Sequence, residues 1–306
     1  MEQITFQAMG SQILAILDTD NPSARAALNA VPAWFAGWER ALSRFDPQSE
    51  LSALNRKTGQ WVRLSPVLGS VIRAALQAAR TSDGLVTPTM LPALEAVGYD
   101  RDFSRIDKAS ADNAEVPPGV ADWRTIQWNA RQNMIRVPPG VRLDLGGIAK
   151  GWAADQAVRR LGRSGPALVD AGGDIAVSGP RADGLPWPIG VSDPQMPDTQ
   201  VDLLFLRQGG VATSGRDYRR WRQGATERHH IIDPRTGLPA VTDLLSVTVI
   251  APTTVQAEIA AKAVLILGSM AGLAWLERRA AQTVLLIRSD GAILRTPKLQ
   301  RYANEC

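Results

Sequence analysis

His229 and His230 are the only histidines in the chain, and they stand directly before Ile231-Ile232-Asp233-Pro234-Arg235-Thr236-Gly237. Histidine is the side chain best suited to take a proton near neutral pH, so one of the two is a candidate general base or ligand-positioning group. A histidine zinc site would need acidic partners at known spacing, and no His-x-x-x-His is present. The single cysteine, Cys306, is the last residue, which rules out an internal disulfide framework and a cysteine-based zinc site. A second stretch with chemistry in it is Asp144-Leu145-Gly146-Gly147-Ile148-Ala149-Lys150, running on to Asp155. A glycine pair lets a ligand come close to the backbone, a helix start beside it offers unpaired N–H groups to a phosphate, and Lys150 adds a cation. An ordinary strand-to-helix turn has the same composition. Third, Glu258 and Lys262 form an i,i+4 pair in the favoured orientation. On an exposed face that is a weak salt bridge. Its apolar neighbours Ile259, Ala260, Ala261, Ala263 and Val264 place it partly in the core instead.

The elements that must position these groups alternate between strands and helices. Ile4–Phe6 and Ile13–Leu17 read as a hairpin-like pair around Ala8-Met9-Gly10-Ser11. Asn21–Ser43, started by Asn21-Pro22-Ser23, reads as one long helix. Ser49-Glu50 begins a short helix after the Asp46-Pro47 turn, and Ser65-Pro66 caps another that Asp83-Gly84 ends. Val86-Thr87-Pro88-Thr89 is a loop, and residues 100 to 140 are an irregular excursion with short strands at Ile126–Trp128 and Met134–Val137. An apolar run ending at Val141 and Leu143 reads as a strand that feeds a helix from Ile148 to about Leu161. Ala167–Asp170 and Ile175–Ser178 are strands around Gly172-Gly173, which is either a hairpin turn or a place of close approach for a ligand or chain segment. Trp187–Val191, Leu203–Leu206, Gly210–Gly215, Ser246–Ala251 and Thr283–Arg288 are further strands. Helices follow at Val255–Leu267, ended by Gly268, and at Ala271–Ala281. The class is α+β. Phe45 is either core or a flat surface for an aromatic ligand.

At 306 residues the chain can bury a large core, as one elaborate domain or two intimate lobes. Its 45% hydrophobic and 21% charged content is that of a globular enzyme. A net charge of +4, with no basic run interleaved with aromatics, argues against a nucleic-acid partner. No apolar run reaches membrane-spanning length, and Met1–Gln12 lacks the pattern of an export signal, so a cytoplasmic location is expected. The Walker phosphate loop and the Gly-x-Gly-x-x-Gly fingerprint are absent, so a bound nucleotide needs another cradle.

Taken in order, these stretches resemble the ApbE family of flavin transferases, which use FAD to attach FMN to a protein. Met9-Gly10-Ser11 resembles the family's early Met-Gly-Thr, and Ser43 to Asn55 its Ser-x-Tyr/Phe…Ser-Glu-Leu…Leu-Asn. Asp144 to Asp155, Ala171-Gly172-Gly173-Asp174, Thr213-Ser214-Gly215, His230 to Gly237 and Ser246 to Pro252 match as well, in register over nearly the whole chain. The resemblance implies a single flavin transferase domain over residues 1–306, with mixed sheets flanked by helices and an FAD cleft between two intimate lobes. It implies FAD as substrate, contacted at Met9, Phe45, Val86, Thr87, Asp144, Lys150 and Ile232. The partner it implies is a target flavoprotein whose Thr or Ser hydroxyl attacks the FMN-side phosphorus, with AMP leaving and His230 as the base.

The resemblance also implies Mg²⁺, held by the backbone carbonyl at Gly147, by an Asp where this chain has Glu258, and by a Thr or similar oxygen where it has Lys262. An ammonium has no lone pair, so Lys262 is not a ligand. Either Lys262 swings away, or its ammonium occupies the metal's place beside Glu258 and points at the pyrophosphate. Val86-Thr87-Pro88-Thr89 stands where the family usually has Phe-Asp-Pro-Thr, so a loop carboxylate is missing. Many members of the family are exported. A non-catalytic FAD-binding protein, an FAD pyrophosphatase and a flavin-independent interaction protein on the same fold are the alternatives to a working transferase.

Overall fold

A computed structural model describes residues 1–21, 24–106, 109–110, 119–196, 198–279 and 283–303. Pro22 and Ser23 of the expected helix start, Ala280 and Ala281 at the expected end of the last helix, and Cys306 lie outside the described residues, as does part of the 100–140 excursion. The chain forms two compact units. Met1–Ala36, Lys150–Asp217 and Thr242–Cys306 make the first, and Gly37–Ala149 with Tyr218–Val241 the second.

The first unit is built on an 8-stranded sheet whose strands follow one another in chain order. They are Glu2–Ala8, Ser11–Leu17, Ala167–Ala171, Asp174–Val177, Gly209–Gly215, Leu244–Ala251, Thr283–Arg288 and Ile293–Arg295. Each neighbouring pair is antiparallel. Two of its connections are two-residue turns with both central residues at positive φ: Met9 at 54° with Gly10 at 66°, and Gly172 at 66° with Gly173 at 88°. Such turns match the right-handed twist of the strands they join. The Gly172-Gly173 pair is therefore a hairpin turn. Ile13 pairs with Ala171, which brings both turns to the same end of the sheet. A Cβ on Gly172 would sit 2.7 Å from the Ser11 Cβ, so a side chain there would push the turns apart.

One face of the sheet is closed by the ribbon Trp187–Ser192 and Gln200–Leu206, through Trp187, Ile189, Val191, Leu204 and Leu206 against Leu168, Val211, Ile250, Leu285 and Ile287. The helix Thr254–Leu267 packs on the strands Gly209–Gly215 and Leu244–Ala251. It is buried nearly all round, and Ala257, Ala260, Ala261, Ala263, Val264 and Leu265 have no exposed surface. Thr253 caps it by accepting from the Gln256 N–H at 3.2 Å. Asp155, on the helix Ala149–Leu161, accepts from the Thr254 and Val255 N–H groups at 3.0 and 3.1 Å. Two helices replace the single one expected over Asn21–Ser43: Ala24–Asn29 and Val31–Leu42. Pro32 is the reason. It has no N–H to return to Leu28, and its ring blocks that carbonyl, so a new helix starts with Pro32 in its first turn.

The second unit holds the helices Glu50–Arg56, Pro66–Thr81 and Leu91–Ala96. The first two start where their serines predict: Ser49 accepts from the Ser52 N–H and Ser65 from the Leu68 N–H. A three-stranded sheet joins Trp61–Arg63, Met134–Arg136 and Gln127–Asn129, and a ribbon joins Arg220–Gln223 to Thr226–His229. The expected strand ending at Val141 and Leu143 is absent. The Leu143 N–H and carbonyl are instead bonded to the Asn55 side chain, at 2.7 and 2.9 Å, and the Asp144 N–H to the Pro88 carbonyl at 2.8 Å. The segment is extended, but a side chain and a loop satisfy its backbone in place of a neighbouring strand. Among the described residues no helix is long and apolar enough to cross a membrane.

Candidate functional site

In the first unit, a group of charged side chains collects at the Gly172-Gly173 end of the sheet. Lys150 lies in the first turn of the helix Ala149–Leu161, and its Nζ is 2.5 Å from Asp174 Oδ2. Asp174 begins the strand after the Gly-Gly turn and is 2% exposed. Asp170, before the turn, accepts from the Gly173 N–H at 2.7 Å. Burial pushes its carboxyl pKa up, that N–H opposes the shift, and the Asp174 charge adds to it. Met9, in the neighbouring turn, sits at φ 54°, a conformation that costs a non-glycine residue energy and marks the turn as specially built.

Glu258 is 1% exposed, and both of its oxygens are engaged. Oε1 is 2.9 Å from Lys262 Nζ, and Oε2 accepts from the Gly151 N–H at 3.2 Å. Gly151 sits in the first turn of its helix, where N–H groups have no intrahelical partner, so the carboxylate also caps that helix. A Cβ on Gly151 would lie 2.7 Å from Oε2, which is why the helix can approach Glu258 only with glycine there. Burial is the first cause of a raised Glu258 pKa. The Asp174 charge adds to it, and Lys262 and Lys150 oppose it.

These residues do not fit a divalent cation. Mg²⁺ requires oxygen ligands with free lone pairs. Of the two side chains at the implied ligand positions, Lys262 has no lone pair to give and sets a positive charge 2.9 Å from Glu258 Oε1. The Lys262 ammonium is bonded to Glu258.

In the second unit, Asp144 is the hinge of a different arrangement. Its Oδ2 is 2.9 Å from Arg44 Nε, and its Oδ1 accepts from the Gly146 N–H at 3.0 Å. The Arg44 guanidinium lies 4.2 Å from the Phe45 ring centre and 4.5 Å from that of Tyr99, and it donates to the Tyr99 carbonyl at 2.7 Å. Phe45 is 37% exposed, so it is a surface ring held from behind by a cation, not a core residue. Tyr99 continues the stack to Trp221, at 5.7 Å, and meets His230 edge-on at 6.4 Å.

The two histidines separate clearly. His229 is buried, with Nε2 3.2 Å from the Ala240 carbonyl and Nδ1 accepting from the Ile231 N–H at 3.3 Å. Both ring nitrogens thus serve the backbone. His230 is half-buried, its N–H donates to the Arg219 carbonyl, and its ring lies against Tyr99. The turn that follows is fixed by Asp233, which accepts from the Arg235 N–H and pairs with the Arg235 guanidinium at 2.7 Å. Ile232 is a core side chain packed with Tyr99 and Trp221. Val86 is buried too, with its N–H bonded to Ser82 Oγ. Thr87 Oγ1 is 3.0 Å from Thr89 Oγ1. Gly147 lies in the turn at residues 146–148, ahead of the helix.

Of the residues expected at the site, Lys150, Glu258 and Lys262 share one charged group in the first unit. Phe45 and Asp144 are joined through Arg44 in the second, and Ile232 and His230 through Tyr99. Arg44, Tyr99 and the Asp174 partner of Lys150 were not assigned roles from sequence. Arg44 had a signal only in standing next to an aromatic residue in the sequence. Tyr99 had none.

A meandering antiparallel sheet carrying a buried helix, with glycine hairpins beside a lysine–carboxylate group, defines an α+β protein of the kind seen in the ApbE protein of Thermotoga maritima. That crystal structure superposes with a TM-score of 0.87 over 99% of each chain, at 28% identity. The family profile described as ApbE matches residues 9–286, through both units, and the chain belongs to the ApbE family. The FAD:protein FMN transferase of Salmonella typhimurium is 29% identical over 83% of this chain and 75% of its own length. That of Treponema pallidum is 31% identical over 79% and 72%.

Proposed function

We propose that this chain is an FAD:protein FMN transferase, moving FMN from FAD to a Thr or Ser hydroxyl of a target flavoprotein and releasing AMP. The observation that carries the reading is the match to relatives of that name over most of both chains. Residues 1–306 act as one transferase domain in this reading, and the family match running unbroken through both units supports it.

The acceptor oxygen attacks the phosphorus on the FMN side of the pyrophosphate. A new O–P bond forms, and the bond from that phosphorus to the bridging oxygen breaks with its electron pair leaving on AMP. The hydroxyl proton goes to His230, while both ring nitrogens of His229 serve the backbone. Phe45 gives the flavin or adenine ring a face, and Arg44 and Tyr99 hold that face in place. Asp144 and Thr87 offer polar contacts to FAD, while Val86 and Ile232, being core side chains, offer their main chain. Met9 and Lys150 are the remaining residues assigned to FAD contact in this reading. No step is assigned to Mg²⁺ at Gly147 and Glu258, because Glu258 is engaged by Lys262 and Gly151.

The test is flavin fluorescence in a denaturing gel. The wild-type chain with FAD and proteins of its source cell yields a fluorescent band that survives denaturation, and His230→Ala does not. Flavin that washes out entirely on denaturation with the wild-type chain refutes covalent transfer.

A further inference from the structure

Tyr99 stands in the second unit where the Phe45 ring and the His230 imidazole come together. It is 6% exposed and held on several sides. Its carbonyl accepts from Arg44 at 2.7 Å, and the same guanidinium lies 4.5 Å from its ring centre. The Phe45 ring is 5.8 Å away and the Trp221 ring 5.7 Å away. The Tyr99 hydroxyl accepts from the Arg219 guanidinium at 3.2 Å. Thus fixed, the ring meets His230 edge-on, with 6.4 Å between centres and 78° between planes, the geometry of a favourable aromatic pair.

Arg219 closes the arrangement from the other side. Its carbonyl accepts the His230 N–H at 3.3 Å, while its guanidinium holds Tyr99 Oη. One residue therefore fixes both the backbone of the base and the ring against which the imidazole rests. The Trp221 indole N–H, donated to the Val97 carbonyl at 3.0 Å, ties the same two segments together a second time. A general base must keep one nitrogen within hydrogen-bond reach of the acceptor hydroxyl, and an imidazole turns about two side-chain torsions unless its neighbours stop it. Packing alone would be served by a phenylalanine; the bonded hydroxyl adds a fixed orientation. We infer that Tyr99, clamped by Arg219, is the positioning residue of the His230 base. The inference rests on His230 being the base of the proposed transfer. Tyr99 and Arg219 act through the imidazole and not on the reacting atoms.

The test follows AMP release at saturating FAD, FAD affinity by flavin fluorescence, and thermal melting, all on the full chain. Tyr99→Phe keeps the ring and loses the Arg219 bond. It lowers kcat about three- to tenfold, the worth of one hydrogen bond. FAD affinity stays within about twofold, and the protein melts within about 4 °C of wild type. Arg219→Met does the same. Both variants break one bond, so Tyr99→Phe/Arg219→Met is no slower than the slower single variant. In a His230→Ala background Tyr99→Phe leaves the residual AMP release unchanged, because no imidazole remains to be positioned. A tyrosine that serves packing alone would show none of this split. Wild-type kcat in Tyr99→Phe overturns the inference. So do losses that multiply in the double variant, or a further loss in the His230→Ala background. Those results leave the transferase reading standing. Wild-type protein that binds FAD but releases no AMP overturns that reading, and the inference with it.

Discussion

Lys262→Met removes an ammonium and keeps an apolar stem of similar length, and its cost is set by what it leaves behind. Glu258 is 1% exposed, and the variant keeps only the Gly151 N–H, 3.2 Å from Oε2, as partner. Deleting one member of a buried ion pair costs about 3–5 kcal/mol. The Lys262 side chain is 18% exposed, so water softens the loss, and the expected destabilisation at neutral pH is about 3 kcal/mol. The pH dependence has a definite sign. Burial already raises the Glu258 pKa in the folded state, so Glu258 binds its proton more tightly there than in the unfolded chain. The stability it contributes is greatest below the unfolded pKa and is lost as pH rises through the folded one. Removing Lys262 takes away an opposing charge and raises the folded pKa further. The deficit of the variant relative to wild type is therefore largest at neutral pH and shrinks toward about pH 5. Urea denaturation at the two pH values reads it directly. Glu258→Gln/Lys262→Met, which buries no charge, falls within about 1 kcal/mol of wild type. A Lys262→Met protein as stable as wild type at neutral pH, or a deficit that grows on acidification, refutes the picture of a buried, coupled pair.

Other outcomes follow from the same geometry. Gly151→Ala drives a methyl to 2.7 Å from Glu258 Oε2 and costs about 1–3 kcal/mol in denaturant, although alanine is the better helix former; a stabilised variant contradicts the contact. Asn55→Ala unpairs both backbone groups of buried Leu143, costs about 2–4 kcal/mol and weakens FAD binding through the displaced Asp144; unchanged melting and affinity would show that another partner takes over. His230→Gln lowers AMP release about 10²–10⁴-fold at an unchanged melting temperature, while His229→Gln lowers the melting temperature. The reverse pattern would exchange their roles.

The sequence carried much of the architecture because its signals were local. Ser65-Pro66, Asp83-Gly84 and Gly268 mark helix ends that the structure reproduces, and the alternation in Trp187–Ser192 shows one side facing the core. Local signals failed where a distant group decided the outcome. Val141 and Leu143 have the composition of a strand, but Asn55 takes the hydrogen bonds that a strand would need. Pro32 lies inside the expected Asn21–Ser43 helix, and its missing N–H divides that helix in two. At the site, Glu258 and Lys262 were legible as a pair because one helix turn joins them. Lys150 with Asp174, and Arg44 with Asp144, meet only after folding, and no spacing rule announces either pair.

The central claim is attack at the FMN-side phosphorus of FAD, and heavy-oxygen water tests it most directly. With no protein acceptor present, water takes the acceptor's place, and mass spectrometry of the two products shows which phosphorus was attacked. The account predicts label in the FMN phosphate, unlabelled AMP, and loss of both products in His230→Ala. Label in AMP would contradict it.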